Sequence, residues 1–109
     1  MHDLRWSPTE KVLARKAFDQ ALQLELKDAI AETKNMAAKI KEASDLWDLE
    51  RWLTQRHLEI DRKYDCRYSV LPFVFATLLR EGRVNENDLH GLGQEKFELI
   101  RRVASPSHE

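Results

Sequence analysis

Residues 7–41 read SPTEKVLARKAFDQALQLELKDAIAETKNMAAKIK, and the only proline among them is Pro8. The first glycine of the chain is Gly82, and Pro72 is the one proline between these two positions. Because glycine and proline are the residues that most readily break helices and form turns, a stretch this long with so few of them is most simply folded as a few long helices. The sequence therefore predicts an all-α protein.

The first predicted helix has a complete start signal. Ser7 is a hydroxyl N-cap, Pro8 occupies the first helical position, where its missing N–H is harmless, and Glu10 completes a capping box. The helix is predicted to run to about residue 41, with a stripe at spacings of three and four. The stripe consists of Phe18, Leu22, Leu26, Ala29, Thr33, Met36 and Ile40, with Ala14, Ala17, Ala21 and Ala37 beside it.

Three further helices and a short helical turn complete the predicted pattern. The helices lie at about residues 45–64, 68–80 and 94–103, and the turn at 85–90. Ser44 is the predicted N-cap of the second helix, and Ser69 is that of the third. Gly82 is the predicted stop of the third helix, since glycine readily adopts the left-handed backbone that ends a helix.

The second predicted helix carries two faces. The expected core stripe is Leu46, Leu49, Leu53, Ile60 and Tyr64. A neighbouring stripe contains Trp47, Arg51, Thr54 and Leu58, flanked by Trp52. A helix with one neighbour needs no tryptophan on a second face, and tryptophan and arginine are the residues most enriched at interface hot spots. We therefore expect a partner on this second face; the alternative is that both tryptophans cover a loop or the first helix.

The third predicted helix is apolar on nearly every side, which indicates burial among neighbours or one face offered to a partner. Its apolar residues are Val70, Leu71, Phe73, Val74, Phe75, Ala76, Leu78 and Leu79. The whole pattern predicts long hairpin-like helical rods over about residues 8–64 and a small apolar helical head over about 67–104, in one domain spanning 1–109. Because such rods carry more apolar stripe than one small chain can cover, a homodimer is expected.

The charges of the chain are balanced, with 18 basic and 19 acidic residues and a net charge of −1. No overall field would therefore concentrate the protein on nucleic acid or on an anionic membrane. No apolar run approaches the roughly 20 residues that span a bilayer, and residues 1–6 lack the apolar core of a signal peptide. The single cysteine, Cys66, suits a reducing compartment, so a cytoplasmic location without membrane insertion is expected.

Candidate sites of chemistry are few. His57 and Asp61 stand four residues apart, as two metal ligands would, but no third ligand accompanies them at a convincing spacing. Cys66 has no histidine in a motif relation that would mark a nucleophile, so it is interpreted as a small structural cysteine. The sequence also has no glycine-rich phosphate loop and no serine-hydrolase elbow. We therefore expect a protein that is not an enzyme, with no catalytic residue, no metal and no cofactor.

A helix-turn-helix module is the nucleic-acid alternative. The third helix, the glycine turn and a last helix ending in Arg101 and Arg102 have its outline. In the would-be recognition helix, however, Glu95 and Glu98 would face phosphates unfavourably. No nucleic-acid partner is therefore expected.

Several short motifs share one register after the first helix. They are Asp45-Leu46-Trp47, Glu59-Ile60-Asp61-Arg62-Lys63-Tyr64-Asp65, Arg67-Tyr68-Ser69-Val70, Phe73-Val74-Phe75-Ala76 and Glu81-Gly82. This run resembles the fluorescence recovery protein family of cyanobacteria, and the tract over residues 59–82 is its most specific part. The first helix resembles that family in character more than in individual letters.

The resemblance implies an all-α homodimer with no cofactor of its own. Such a protein binds the light-activated orange carotenoid protein, through that partner's C-terminal domain, and detaches it from the thylakoid-bound phycobilisome. It also speeds the partner's return to the resting orange form, which ends the photoprotective quenching of phycobilisome fluorescence.

Together with the helix faces, the resemblance suggests site residues. Trp47, Glu50, Arg51 and Leu58 are expected at the dimer interface, and Phe73, Arg51 and His57 at the partner-binding surface. Three of them depart from the family pattern: Glu50 and Arg51 stand where a histidine and an aspartate are usual, and His57 stands where an arginine is usual. The alternative function is therefore a divergent dimeric helical adaptor for an unrelated protein client.

Overall fold

The computed structural model describes residues 5–105, whose regular elements are all helical. They are α1 (Pro8–Ala38), α2 (Ala43–Lys63), α3 (Leu71–Arg80), α4 (Glu86–Leu89), a 3-10 turn (His90–Leu92) and α5 (Gln94–Ala104). The molecule measures 53 × 36 × 23 Å along its principal axes. The predicted all-α class is confirmed, whereas the single domain over residues 1–109 stays a prediction, with its ends outside the described residues.

Helix α1 begins as predicted. Ser7 Oγ accepts a hydrogen bond from the Glu10 N–H at 3.1 Å, and the Glu10 carboxylate accepts one from the Ser7 N–H at 2.8 Å. The capping box is therefore complete. The helix has 31 residues, a length of about 46 Å at about 1.5 Å per residue. It ends at Ala38, slightly before the predicted end near residue 41.

The predicted start of the second helix is wrong, because α2 begins before Ser44. The Asp45 carboxylate accepts hydrogen bonds from the backbone N–H groups of Lys41 at 3.0 Å and Glu42 at 3.2 Å. These bonds satisfy donors ahead of the predicted start, so Glu42 occupies the N-cap position and the helix starts at Ala43.

The predicted start of the third helix is also wrong. Residues 68–70 form a turn, and Val70 rather than Ser69 occupies the N-cap position of α3. Pro72 lies in the first turn, where its missing N–H breaks no hydrogen bond, and this placement agrees with the prediction.

Gly82 ends α3 as predicted. Its φ of 77° is in the left-handed region, and its N–H donates to the carbonyl oxygen of Leu79 at 3.1 Å. The N–H of Arg83 donates to the carbonyl oxygen of Leu78 at 2.9 Å. The last carbonyl groups of α3 are thereby satisfied.

We call α1 and α2 the hairpin, and residues 71–104 the head. The head packs on the N-terminal half of α1, where small alanine side chains allow close approach, and α3 packs on α5. The buried apolar cluster is Ala14, Ala17, Phe18, Ala21, Leu71, Val74, Phe75, Ala76, Leu78, Val84, Leu89, Leu92, Phe97, Ile100 and Ala104. Phe97 and Ile100 face inward from α5.

The predicted core stripe of α2 is confirmed at Ile60 and wrong at Leu46 and Leu53, while Leu49 and Tyr64 are half-buried. Helix α2 runs antiparallel to α1, with Arg56 opposite Glu32 and Lys63 opposite Glu25. Within the described range Ala43–Lys63, Ile60 is the one buried residue, and Leu46 and Leu53 are exposed. The reason is that no other element of residues 5–105 covers this side of the hairpin in one copy of the chain.

No helix within residues 5–105 combines the length and the apolar character needed to cross a membrane.

Candidate protein-binding surface

The second face of α2 is open to solvent. Trp47 is 53% exposed, and Leu58 on the same face is also exposed. Glu50 and Arg51 lie between them on the helix surface, and Arg51 forms an ion pair with Asp48 of its own helix. Trp47 is thus half exposed rather than buried under a loop or α1, whereas Trp52 is half-buried. Its predicted role at a dimer interface, and those of its three neighbours, stay predictions.

Other large apolar side chains of the hairpin are exposed as well. Besides Val12 and Leu24 of α1, they are these four: Leu26 and Ile30 of α1 and Leu46 and Leu53 of α2. We call these four, together with Trp47 and Leu58, the open apolar set. Because monomeric proteins rarely expose a large contiguous apolar patch, this set is a candidate interaction site.

Phe73 is the exposed aromatic residue of a largely buried helix. It is 50% exposed, whereas Phe75 and Leu78 of the same helix are fully buried. Phe73 lines a groove of about 470 Å³ between the end of α2 and α3. The groove is lined by Glu59, Arg62, Lys63, Asp65, Val70, Phe73, Val74 and Thr77. An aromatic ring among apolar neighbours with a charged rim is the arrangement typical of an interface hot spot.

The structure separates the predicted partner-binding residues. Phe73 belongs to the groove, but neither Arg51 nor His57 is among its lining residues. His57 Nε2 lies 3.3 Å from Asp61 Oδ2 on the exposed surface of α2. Within residues 5–105 no group of three or more potential metal ligands occurs, so this pair lacks the further ligand that a metal would need. Cys66, interpreted from the sequence as a small structural cysteine, is exposed in the loop after α2.

A buried carboxylate joins the hairpin to the head. Glu25 of α1 has no exposed surface. Lys63 Nζ donates hydrogen bonds to its two oxygens at 2.9 and 2.8 Å, and Tyr64 Oη donates a third at 2.9 Å. Arg56 Nη1 lies 3.1 Å from Glu25, and Arg83 Nε lies 3.2 Å from it. Side chains from α2, from its C-cap and from the turn after α3 thus converge on one acid of α1.

Further ion pairs surround this carboxylate. Lys63 Nζ also donates to Glu81 at 2.8 Å, and Arg83 Nη1 donates to Asp28 at 2.9 Å. Arg56 Nη2 lies 3.7 Å from Glu32. We call the whole group the Glu25 cluster: Glu25, Asp28, Glu32, Arg56, Lys63, Tyr64, Glu81 and Arg83.

A sequence model of the family described as "Photoprotection regulator fluorescence recovery protein" matches residues 6–104. The chain belongs to the fluorescence recovery protein family. The resemblance seen in the motifs is therefore confirmed, and the chain is assigned to a class of photoprotection regulators.

Relatives of known identity agree with this assignment. The fluorescence recovery protein of Synechocystis sp. PCC 6803 is 40% identical over 99 residues, which cover 91% of this chain and 91% of that protein. The solved structure of the Synechocystis sp. PCC 6803 fluorescence recovery protein has a TM-score of 0.88 with 40% identity, covering 92% of this chain and 98% of the other. The structure of the Fremyella diplosiphon fluorescence recovery protein has a TM-score of 0.87 with 39% identity, over the same shares.

The Glu25 cluster shifts the ionisation of its members in this fluorescence recovery protein homologue. Burial opposes the charge on Glu25, but hydrogen bonds from Lys63 and Tyr64 outweigh it, so the pKa of Glu25 lies below its ordinary value. Burial, together with the hydrogen bond to Glu25, raises the pKa of the Tyr64 hydroxyl. Glu25 is therefore a carboxylate at neutral pH, and Tyr64 is a neutral donor to it.

The lowered pKa of Glu25 predicts a loss of stability in acid. The unfolded chain takes up this proton first, so the stabilisation is complete above the unfolded pKa of about 4.3 and is lost as pH falls through the lower folded pKa. We expect a nearly constant melting temperature from about pH 7 to 5.5 and a fall below about pH 4.5. The melting temperature of Glu25→Gln should fall less steeply with decreasing pH. The fall that remains should come from Glu10 and Asp65, whose pKa values are also lowered. Equal slopes in the two proteins would contradict this account.

The Glu25 cluster was missed by sequence reasoning, although one signal for it exists. Ala14, Phe18, Ala21 and Glu25 follow one another at spacings of four, three and four, so an acid occupies a position of the buried stripe. Such an acid must find partners or lose its charge. The partners themselves have no local signal, because they come from other elements.

Proposed function

We propose that this chain binds the photoactivated orange carotenoid protein and accelerates its return to the resting orange form, which ends phycobilisome quenching. The proposal rests on one observation: the half-exposed ring of Phe73 lines a groove. The chain that carries this ring belongs to the fluorescence recovery protein family. A partner bound to the phycobilisome would also place the protein in the cytoplasm, and we propose this location. No cofactor is needed for this activity.

The proposed mechanism is thermodynamic. A protein without a catalytic site accelerates a partner's conformational relaxation when it binds the transition between two arrangements more tightly than the starting arrangement. Each factor of ten in rate needs about 1.4 kcal/mol of such preference. Burying one or two aromatic side chains supplies that amount, because a fully buried phenylalanine contributes about 1.5–3 kcal/mol.

The test is the dark recovery of photoactivated orange carotenoid protein, followed by its absorbance. Substoichiometric protein should shorten the recovery time, and Phe73→Ala should lose most of the acceleration. Val12→Ala is the matched control, because Val12 is 71% exposed and lies on α1, outside the groove. Unchanged recovery with wild-type protein would contradict the proposal and favour the adaptor for another client, which a pull-down from the native host would then seek.

We also propose that the chain is a homodimer in which the open apolar set is the interface. The set lies on both helices of the hairpin and is exposed in one copy. A second copy of the chain would cover this set, because a two-fold axis brings the same apolar residues of both chains together. The predicted interface residues Trp47, Glu50, Arg51 and Leu58 then supply an aromatic anchor, an apolar neighbour and a charged rim.

The replacement Trp47→Ala should weaken this dimer. Truncating a hot-spot tryptophan costs about 2 kcal/mol or more, and a two-fold dimer loses one such side chain from each copy, so the dissociation constant should rise at least about 30-fold. Sedimentation velocity at micromolar concentration should then show a shift toward monomer. Val12→Ala should sediment like the wild type, and an unchanged sedimentation coefficient for Trp47→Ala would remove Trp47 from the interface.

A further inference from the structure

The two walls of the Phe73 groove belong to different parts of the molecule. One wall is the end of α2 with Glu59, Arg62 and Lys63, and the other is α3 with Val70, Phe73 and Thr77. The shape of the groove therefore depends on how α2 is held relative to the head. A partner that fits this groove requires that spacing to be fixed before it binds.

Apolar packing alone fixes α2 poorly. Ile60 is the one residue buried in the described range Ala43–Lys63, and the α2 end of the groove is rich in charge. One ring contact adds to it, since Tyr64 packs edge-on against Phe18 with 5.5 Å between ring centroids. Ion pairs and hydrogen bonds to Glu25 add further restraints at the end of α2.

The Glu25 cluster provides those restraints, and Lys63 belongs both to the cluster and to the groove wall. Its ammonium group bridges Glu25 of α1 and Glu81 after α3. Arg83 bridges the same two carboxylates at 3.2 and 3.1 Å. Three elements are therefore tied together by short, directional contacts.

A buried ion cluster adds little net stability, but its directional contacts restrict the relative positions of the groups that it joins. The desolvation of buried charges offsets much of their attraction, and packed apolar residues often stabilise a protein equally well. Hydrogen bonds at 2.8–2.9 Å to both oxygens of Glu25 instead restrict where Lys63 and Tyr64 can lie. Fixing one arrangement is thus a role that suits this cluster.

We propose that Glu25 is a positioning residue for partner binding: by joining α1, the end of α2 and the turn after α3, it fixes the spacing of the groove walls around Phe73. The inference rests on the proposed function in that the groove is taken to receive the orange carotenoid protein. The positioning itself is a property of the free chain.

The first experiment measures that positioning without any partner. Spin labels at Gln55 on α2 and Arg102 on α5, both exposed, are introduced in a Cys66→Ser background, and labelled protein is diluted with unlabelled protein so that only distances within one chain contribute. Double electron–electron resonance should give a narrow distance distribution in the reference protein and a clearly broader or shifted one in Glu25→Gln. An unchanged distribution in a folded Glu25→Gln protein would overturn the proposal.

Two further variants separate positioning from general destabilisation. Glu81→Gln weakens the same bridges from a partly exposed position, so it keeps the test available if Glu25→Gln fails to fold. Glu10→Gln removes a different ion pair, in which Glu10 lies 3.1 Å from the buried Lys96 within the α1–α5 contact. We expect a broader distribution for Glu81→Gln and a narrow one for Glu10→Gln. Broadening in all variants alike would indicate general loosening and overturn the proposal.

The second experiment measures binding to photoactivated orange carotenoid protein well below the melting temperature of each variant. Glu25→Gln should weaken binding at least about tenfold, and Glu25→Gln combined with Phe73→Ala should be little weaker than Phe73→Ala alone, because both act through one groove. Fully multiplicative effects would overturn the proposal. If the wild-type protein does not bind this partner, the proposed function fails, while the distance measurement still decides the positioning role of Glu25.

Discussion

Replacing Glu25 by alanine is expected to lower the free energy of unfolding by about 3–5 kcal/mol, because removing one partner from a buried charge pair leaves the other uncompensated. Three cations depend on this carboxylate: Lys63, Arg83 and Arg56, whose side chains are between 15% and 19% exposed. The change also removes the acceptor of the Tyr64 hydroxyl. Urea unfolding at one fixed protein concentration measures the effect, since the stability of an oligomer depends on concentration.

Glu32→Ala is the matched control for this measurement. Glu32 also pairs with Arg56, but its carboxylate is 55% exposed and the separation is 3.7 Å. A loss below about 1 kcal/mol is expected, as for most exposed ion pairs. Similar losses for Glu25→Ala and Glu32→Ala would contradict the expectation that the buried carboxylate of Glu25 matters more for stability than an exposed one.

Phe75→Ala is expected mainly to lower stability, whereas Phe73→Ala is expected mainly to weaken partner binding. Phe75 is fully buried, so Phe75→Ala should lower the free energy of unfolding by about 3–5 kcal/mol through lost burial and a cavity. Phe73 is 50% exposed, so Phe73→Ala should cost far less stability while weakening partner binding. Substitutions at two positions of α3 thus distinguish the role of a core residue from the proposed role of a contact residue.

A thermal melt run beside the recovery assay distinguishes these effects. Phe73→Ala should melt close to the wild type and lose acceleration, whereas Phe75→Ala should melt well below both. Val12→Ala again controls for removing an exposed apolar side chain. A large fall in the melting temperature for Phe73→Ala would place that ring in the core and remove it from the partner surface.

The parts of the fold that could be predicted are those set by near neighbours in the sequence. The start of α1 depends on Ser7, Pro8 and Glu10, which satisfy one another within a single turn. The stop at Gly82 likewise depends on one residue that tolerates a left-handed backbone. Even at this range the start of α2 was missed, because Asp45 caps the backbone ahead of Ser44.

Burial on α2 could not be predicted because it depends on what covers the helix. Leu46, Leu53 and Ile60 have the same apolar character, yet only Ile60 lies where another element of the described chain packs against it. Trp47 was singled out because it lies on a second face of α2, and Phe73 was singled out through the family resemblance; both side chains are about half exposed, and their roles stay predictions. The ties to Glu25 were out of reach, because Lys63 and Arg83 meet it only once the hairpin and the head are assembled.

Gly82 also bears on the variability of the groove. A methyl group at this position would meet no atom within 4 Å, so glycine supplies only the permitted backbone torsion. An alanine would hold that left-handed torsion at a cost of about 1 kcal/mol, and the residue that follows it is Arg83, which pairs with Glu25. A substitution at Gly82 would therefore act on the Glu25 cluster through backbone torsion alone, with every charge left in place.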